Sequence, residues 1–413
     1  MSMKKKAFAL LLILVFVSSS SSLSAETITE EPELQWSKNY EGINGNNVIQ
    51  TFDGGYLIVG TTATQNTVLY LMKADSLGEL QWEKKYGMEF GVGVSVDAIT
   101  QTADEGFALC HLGGFFSGNR DDGWFLKIDS QGNVELNKTM TVEAGYASFF
   151  SIIQTSDRGF VLTCRGLFWN MSVFGDIIKM DEYGKTIWEK IYSLASVDSI
   201  VQTDDGGFTL SGTWNSDAWF AKTNSQGEIT LTKTYGYGDF RSVSQTSDGG
   251  YMLTGFTGLG LDWIQKIDSD GNVVWEHKER NSGMGSVKQA SDGGYSVVGL
   301  IAESSGFIRR PYFGKIDTDG NFLFNVTYDT TDVFSIVPNE DYSFTLAHTS
   351  GGVRLEKFSF PSSKVPPSTS VQLTAAPVNQ TENSTTLVIA LTSGGAIALA
   401  ATGLLAYHKK HKH

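Results

Sequence analysis

The chain has 413 residues, a formal net charge of −14, 41% hydrophobic residues, 45 glycines and 7 prolines. That apolar content over that length supports a large folded core and excludes a disordered protein, and the acidic balance excludes nucleic acid as a partner, because phosphate-binding surfaces need clustered Lys and Arg. Abundant glycine with 12% aromatic residues favours strands joined by tight turns over helices, so the fold class is read as all-β.

Residues 1–25 combine Lys4-Lys5-Lys6, an apolar run from Ala7 to Val17 and a small-residue stretch ending in Ser22-Leu23-Ser24-Ala25. This is the pattern of a secretory signal peptide, too short to span a bilayer and expected to be removed. The first strand of the mature chain, Leu34-Gln-Trp36-Ser-Lys-Asn-Tyr40, recurs almost unchanged as Leu80-Gln-Trp82-Glu-Lys-Lys-Tyr86.

A second phrase then recurs along the chain. It begins at Gln50 (QTFDGGY), Gln101 (QTADEGF), Gln154 (QTSDRGF), Gln202 (QTDDGGF), Gln245 (QTSDGGY) and Gln289 (QASDGGY), with a worn copy at Val337-Pro-Asn-Glu-Asp-Tyr342. Each copy is followed by an apolar strand, then by an aromatic-x-x-Lys-x-Asp strand whose lysines are Lys73, Lys127, Lys179, Lys222, Lys266, Lys315 and Lys357. A second turn of the Ser-Asp-Gly-Asn kind leads to a last strand carrying Trp36, Trp82, Leu136, Trp188, Leu231, Trp275 or Phe324. A period of about 45–50 residues with four short strands per unit is the signature of a β-propeller blade. The count predicts a seven-bladed propeller over residues 26–360. The last copy, Phe334 to Phe358, lacks its fourth strand, so the amino-terminal strand is expected to supply it and close the ring.

Asp-Gly and Gly-Gly supply the φ > 0 positions that tight hairpin turns require, and the aromatic after them opens a core strand. The phrase is therefore assigned a structural role, with the Lys-x-Asp pair expected to brace the turn or to form ladders between blades.

The stretch KIDSDGNVVWEHK resembles the outer-strand phrase of pyrroloquinoline-quinone-type repeats, whose Trp docks between blades. The whole unit with its closing strand resembles WD40 propellers in layout. Most of all it is similar to the Gln-Thr-x-Asp-Gly-Gly-Tyr propeller repeats of archaeal and bacterial surface proteins. The resemblance covers residues 33–358 and implies architecture.

No local pattern for catalysis accompanies it. The resemblance to quinoproteins would imply eight blades and a vicinal cysteine pair, whereas Cys110 and Cys164 lie far apart in sequence. Aligned on the repeat, these cysteines fall on opposite sheet faces, and no disulfide is expected. Asp268-Ser-Asp270-Gly271-Asn272 and Asp317-Thr-Asp319-Gly320-Asn321 place glycine too early for a calcium loop and read as hairpin turns. His111, His277 and His348 show no zinc spacing. No catalytic residue, metal or cofactor is assigned. Carboxylates from distant blades leave no local pattern, which keeps a glycoside- or polysaccharide-cleaving enzyme as the alternative, beside a structural component of the cell envelope.

The Asp-Gly-Gly and Asp-x-x-Gly turns keep their length, whereas the second connection of each unit varies from Thr213–Asp217 to Leu112–Asp122, Gly166–Gly175 and Ile301–Arg310. In a four-strand meander these variable connections gather at one end. That end carries Phe115, Phe116, Phe168, Trp169, Trp214, Phe256 and Phe307 with Arg120, Arg309 and Arg310, the side-chain types that anchor sugars or proteins.

Residues 361–386, rich in Ser and Thr around Pro366-Pro367, are expected to form an extended stalk. Leu387 to Tyr407 is uncharged and long enough for a transmembrane helix, and the basic tail 408–413 is expected in the cytoplasm. Asn137, Asn170, Asn325, Asn379 and Asn383 head glycosylation sequons. The expected protein is a single-pass cell-surface propeller that binds a surface glycan or protein without catalysis.

Overall fold

The structure, a computed structural model, describes residues 32–62, 68–86, 96, 98–112, 123–140, 145–168, 173–279, 285–302, 309–328, 333–339, 343–349 and 351–359. All regular elements among them are strands. After β1 (Glu33–Glu41) come four-strand antiparallel meanders: β2 (Ile43–Gln50) to β5 (Leu80–Tyr86) through β3 (Tyr56–Thr62) and β4 (Leu69–Ala74), then β6 (Ala98–Gln101), β7 (Phe107–Leu112), β8 (Gly123–Ile128) and β9 (Val134–Met140). The next is β10 (Gly145–Gln154), β11 (Phe160–Phe168), β12 (Val173–Met180) and β13 (Thr186–Ser193). A larger sheet follows, with β14 (Ala195–Gln202), β15 (Phe208–Trp214), β16 (Asp217–Thr223), β17 (Ile229–Gln245), β18 (Tyr251–Thr257), β19 (Asp262–Ile267) and β20 (Val273–Glu279). The chain ends with β21 (Ser286–Gln289), β22 (Tyr295–Ala302), β23 (Arg309–Ile316) and β24 (Phe322–Thr327), then β25 (Val333–Pro338), β26 (Phe344–Thr349) and β27 (Gly352–Ser359).

The expectation of seven separate blades is not met among the described residues, which form five separate four-stranded sheets and one seven-stranded sheet. The cause is β17. It pairs with β16 from Ile229 to Tyr237 and with β18 from Gly238 to Gln245, passing Gly236 and Gly238 at φ +102° and +156° without leaving the ladder. Elsewhere the chain changes sheet through a connection; here one strand serves both neighbours.

β1 pairs antiparallel with β27, from Glu33 opposite Ser359 to Glu41 opposite Gly352, completing the sheet β1-β27-β26-β25. The chain's first strand thus supplies the outer strand of its last sheet, as its sequence indicated. The innermost strands touch in order, β6 on β10, β10 on β14, β14 on β17, β17 on β21, β21 on β25 and β25 on β2, and the Phe52 N–H donates to Gln101 across the step from β2 to β6, so the sheets stand around a closed ring.

Each residue of the repeated phrase has a defined task. The Gln amide reaches the preceding sheet's turn: Gln101, Gln154, Gln202 and Gln289 accept from the backbone N–H of Phe52, Ala103, Ser156 and Ser247 at 2.7–2.8 Å. In QTSDGGY, the Thr246 hydroxyl and the Gly250 N–H both donate to Asp248, and buried Lys266 donates to the same carboxylate at 2.9 Å and to the Ile267 carbonyl. The same brace joins Lys73 to Asp53, Lys127 to Asp104, Lys179 to Asp157 and Lys315 to Asp292. Of the two glycines, Gly249 supplies φ +81°, while a Cβ on Gly250 would fall on the Ile267 carbonyl oxygen and the Lys266 ammonium.

The closing aromatic is a core residue. Tyr56, Phe208 and Tyr295 meet Trp36, Trp188 and Trp275 of the preceding outer strand edge to face, with ring centroids 5.7–6.1 Å apart. Those outer strands also bond the next sheet's second turn, as Trp82 Nε1 to the Ser130 carbonyl and Tyr86 Oη to the Gly132 carbonyl. Asp268 and Asp317 accept from the N–H groups two and four residues on, which commits them to hairpin turns.

Cys110 and Cys164 are both buried, and no disulfide joins them. They nevertheless share one apolar cluster with Phe125, Phe160 and Phe174. Opposite faces of adjacent sheets are the faces that meet, so the parity expected to separate these residues gathers them between two sheets.

Candidate ligand-binding site

The meander puts the Asp-Gly-Gly and Asp-x-x-Gly turns at one end of the ring and the second and fourth connections of each unit at the other. At that second end successive connections are tied to one another by backbone hydrogen bonds. Leu194 N–H donates to the Val173 carbonyl (3.0 Å), Asn215 N–H to Leu194 (2.7 Å), Gly238 N–H to Ser216 (3.1 Å) and Gly258 N–H to Tyr237 (2.7 Å). Among the described non-glycine residues, five have positive φ, and three of them, Leu194, Asn215 and Ser216 at +63°, +51° and +73°, sit on this rim. Asn215-Ser216 is a two-residue hairpin with both central residues left-handed. Leu194 is different: a bulky residue held left-handed in the single-residue step from β13 to β14, in a conformation that is costly for such a side chain.

The rim borders an open cavity of about 450 Å³, within the range of about 300–1,000 Å³ usual for small-molecule sites. Val173, Leu194, Tyr237 and Phe256 give its apolar lining, and Thr213, Asn215, Ser216 and Asp239 its polar one. Tyr237 is 65% exposed and Leu194 53% exposed. A Cβ at residue 258 would fall on Cδ1 and Cε1 of the Tyr237 ring, so glycine is what lets that ring lie where it does. Asp239 accepts from the Phe256 N–H and from Arg241 Nε, each at 3.1 Å, and the Arg241 guanidinium lies over the Phe256 ring at 4.7 Å.

Behind the cavity the inner strands carry a repeated bulge. Register shifts leave Asn46, Phe150, Asp198, Arg241 and Phe334 without a cross-strand partner at equivalent places in β2, β10, β14, β17 and β25. The chemistry of this position therefore varies while its geometry stays constant. Asp198 is the most perturbed member. Burial pushes its carboxyl up, the Arg165 guanidinium 3.8 Å away pulls it down and Asp239 raises it again, leaving it at about 6. Arg165 itself lies over the Phe150 ring at 4.6 Å.

Of the residues expected to bind, Trp214 precedes the Asn215-Ser216 turn at the cavity's edge. Its ring packs on Trp219 with centroids 5.3 Å apart, joining the core cluster there. Phe256 lines the cavity, and Arg310 is half-buried in β23. Phe168 and Arg309 lie at the ends of β11 and β23. Phe115, Phe116, Arg120, Trp169 and Phe307 lie outside the described residues, as do the expected signal peptide, the expected stalk, the apolar segment 387–407 and Asn170, Asn379 and Asn383. Asn137 and Asn325 are exposed on β9 and β24. Among the described residues no helix is long and apolar enough to cross a membrane, and no group of three His, Cys, Asp or Glu is placed to hold a metal ion.

The expected site left out Leu194, Asn215, Ser216, Tyr237 and Asp239. One signal was present: the interval from Gln202 to Gln245 is the shortest between successive copies, and its last strand runs through Tyr-Gly-Tyr-Gly into the next unit with no room for a loop.

These features define a β-propeller. The fold is similar to the Dos1 propeller, at 11% identity and a TM-score of 0.52 over 79% of this chain and 95% of that one. It is likewise similar to Raptor of Chaetomium thermophilum, at 10% identity and a TM-score of 0.55 over 83% of this chain and 30% of that one. At such identities the likeness is one of fold alone. No protein-family model matches the chain, and no curated protein is similar to it in sequence.

Proposed function

We propose that the protein is a membrane-tethered, extracellular, seven-bladed propeller that binds a surface glycan or protein through the cavity between β12 and β19. The blade count takes the seven-stranded sheet as two blades that share β17, one ending at Tyr237 and the next beginning at Gly238. The observation that carries the binding reading is the rim: a preformed cavity whose lining includes three left-handed non-glycine residues, fixed by backbone bonds between successive connections. Strained backbone held by its surroundings marks functional sites, and a rigid rim spares a ligand the cost of ordering it. The place of the chain's exit agrees. β27 leaves the fold at Ser359, at the end bearing the Asp-Gly-Gly turns, so a tether continuing from it would turn the cavity away from the membrane.

The test is a screen of the secreted chain against immobilised glycans and surface proteins, with Val173→Arg to obstruct the cavity. Saturable binding abolished by that substitution is expected; undiminished binding would move the site elsewhere on the ring.

One observation favours a second reading, glycan cleavage. Asp198, with its raised carboxyl pKa, and Asp239 come from adjacent inner strands, and two acidic groups in unlike environments are the elements of acid and base catalysis. Turnover of an oligosaccharide abolished by Asp198→Asn would establish it.

A further inference from the structure

We infer that the cavity is a sugar subsite in which one neutral pyranose ring lies against Tyr237, its hydroxyl edge turned to Asn215, Ser216 and Asp239. The inference deepens the binding reading and rests on it. Tyr237 carries the argument. It is an aromatic ring 65% exposed at the rim, whereas the aromatics that close the repeated phrase, such as Tyr56 and Tyr251, are buried, and it has no aromatic counterpart in the other copies of the repeat. It is seated on Gly258, where any side chain would displace it, and the Gly258 N–H ties its backbone in place. A large apolar ring held in water without a packing role is costly to maintain and is the feature of a contact surface.

The neighbouring groups narrow the ligand class. Leu194 and Val173 extend the apolar lining, whereas Asn215 and Ser216 are exposed on the adjacent turn and Asp239 borders the same space. A wholly apolar ligand would strip water from these polar groups without replacing its hydrogen bonds. A pyranose has the complementary division, with one C–H face and an edge of hydroxyls that both donate and accept. Each oxygen of Asp239 accepts one bond from the protein and retains a further acceptor site for a hydroxyl. The same carboxylate, on a chain of net charge −14, disfavours uronic and sialic acids. A neutral hexose or N-acetylhexosamine fits both constraints.

The experiment uses the secreted chain on an array of oligosaccharides ending in neutral hexoses, N-acetylhexosamines, uronates or sialates. Wild type is compared with Tyr237→Ala, Tyr237→Phe, Gly258→Ala and Val173→Arg, each shown by circular dichroism to be folded. Binding to neutral termini is expected, weakened about tenfold or more by Tyr237→Ala and by Gly258→Ala and little changed by Tyr237→Phe. Binding confined to acidic termini, or unchanged in Tyr237→Ala, overturns the inference. If glycan binding survives Tyr237→Ala but not Val173→Arg, or a protein is bound and no glycan is, the cavity remains a binding site and the stacked sugar is refuted. Absence of any partner refutes both.

Discussion

The brace between Lys266 and Asp248 is expected to be energetically lopsided. The lysine side chain is 3% exposed and the aspartate 63%, although they form one ion pair at 2.9 Å. Asp248→Ala leaves the buried ammonium with only the Ile267 carbonyl at 3.0 Å, and orphaning a buried charge costs about 3–5 kcal/mol. Lys266→Met keeps most of the buried volume and leaves an aspartate that water, Thr246 and Gly250 still satisfy, so its expected cost is about 1–2 kcal/mol. The pH dependence has a fixed sign. Partial burial raises the Asp248 carboxyl, but the Thr246 hydroxyl, the Lys266 ammonium and the Gly250 N–H outweigh it and hold the group down at about 2. A depressed folded-state value stabilises above the ordinary carboxylate range and is lost as pH falls toward 2, so the gap between wild type and Asp248→Ala should narrow between about pH 4 and pH 2. Urea unfolding of the two variants across that range measures both effects. A cost for Lys266→Met equal to or above that of Asp248→Ala would refute the assignment of the penalty to the buried lysine.

The two glycines of the same turn should respond oppositely. Gly249→Asn is expected to cost about 1 kcal/mol or less, since Glu105 and Arg158 already occupy the equivalent left-handed position, whereas Gly250→Ala should sharply lower the urea midpoint by driving a Cβ into the Ile267 carbonyl. Gln154→Ala removes the acceptor for the Ala103 N–H across a sheet boundary and should cost about 0.5–1.5 kcal/mol in the same assay. Asp176 is buried beside Glu189, and burial first, then that neighbour, hold its carboxyl well above the usual range. The folded state therefore keeps a proton that the unfolded state releases, so stability falls as pH rises above the ordinary carboxylate value. Asp176→Asn should flatten that slope and raise the unfolding midpoint more at pH 8 than at pH 5.

What the sequence made legible was local and repeated. Asp-Gly-Gly turns and the aromatic opening each core strand follow from chemistry within a few residues, and seven near-copies made the pattern hard to miss; the lysine brace, which reaches an aspartate 18–23 residues back, was readable only as one of two roles for a recurring lysine. The likeness of Leu34–Tyr40 to Leu80–Tyr86 was enough to foresee the pairing of β1 with β27. The continuity of β17 showed in the sequence only as a short interval between copies, and pairing on both sides is what keeps Tyr-Gly-Tyr-Gly extended. The cavity was hidden for a related reason. Its lining comes from the tips of successive sheets, and nothing local to Leu194 announces a left-handed leucine. Cys110 and Cys164 show the same limit, since side-chain parity is readable within one strand but its meaning depends on which sheet stands opposite.

The placement of β27 has a mechanical consequence. It lies between β26 and β1, bonded along its length to both, and Ser359 is its last residue. A pull directed along the strand from that residue, with a ligand held at the far end of the ring, would load both ladders lengthwise and engage many hydrogen bonds together instead of opening them one after another. The first and last strands of the domain would then share the tension, so the junction that shuts the ring is also the one that would bear a load between partner and anchor.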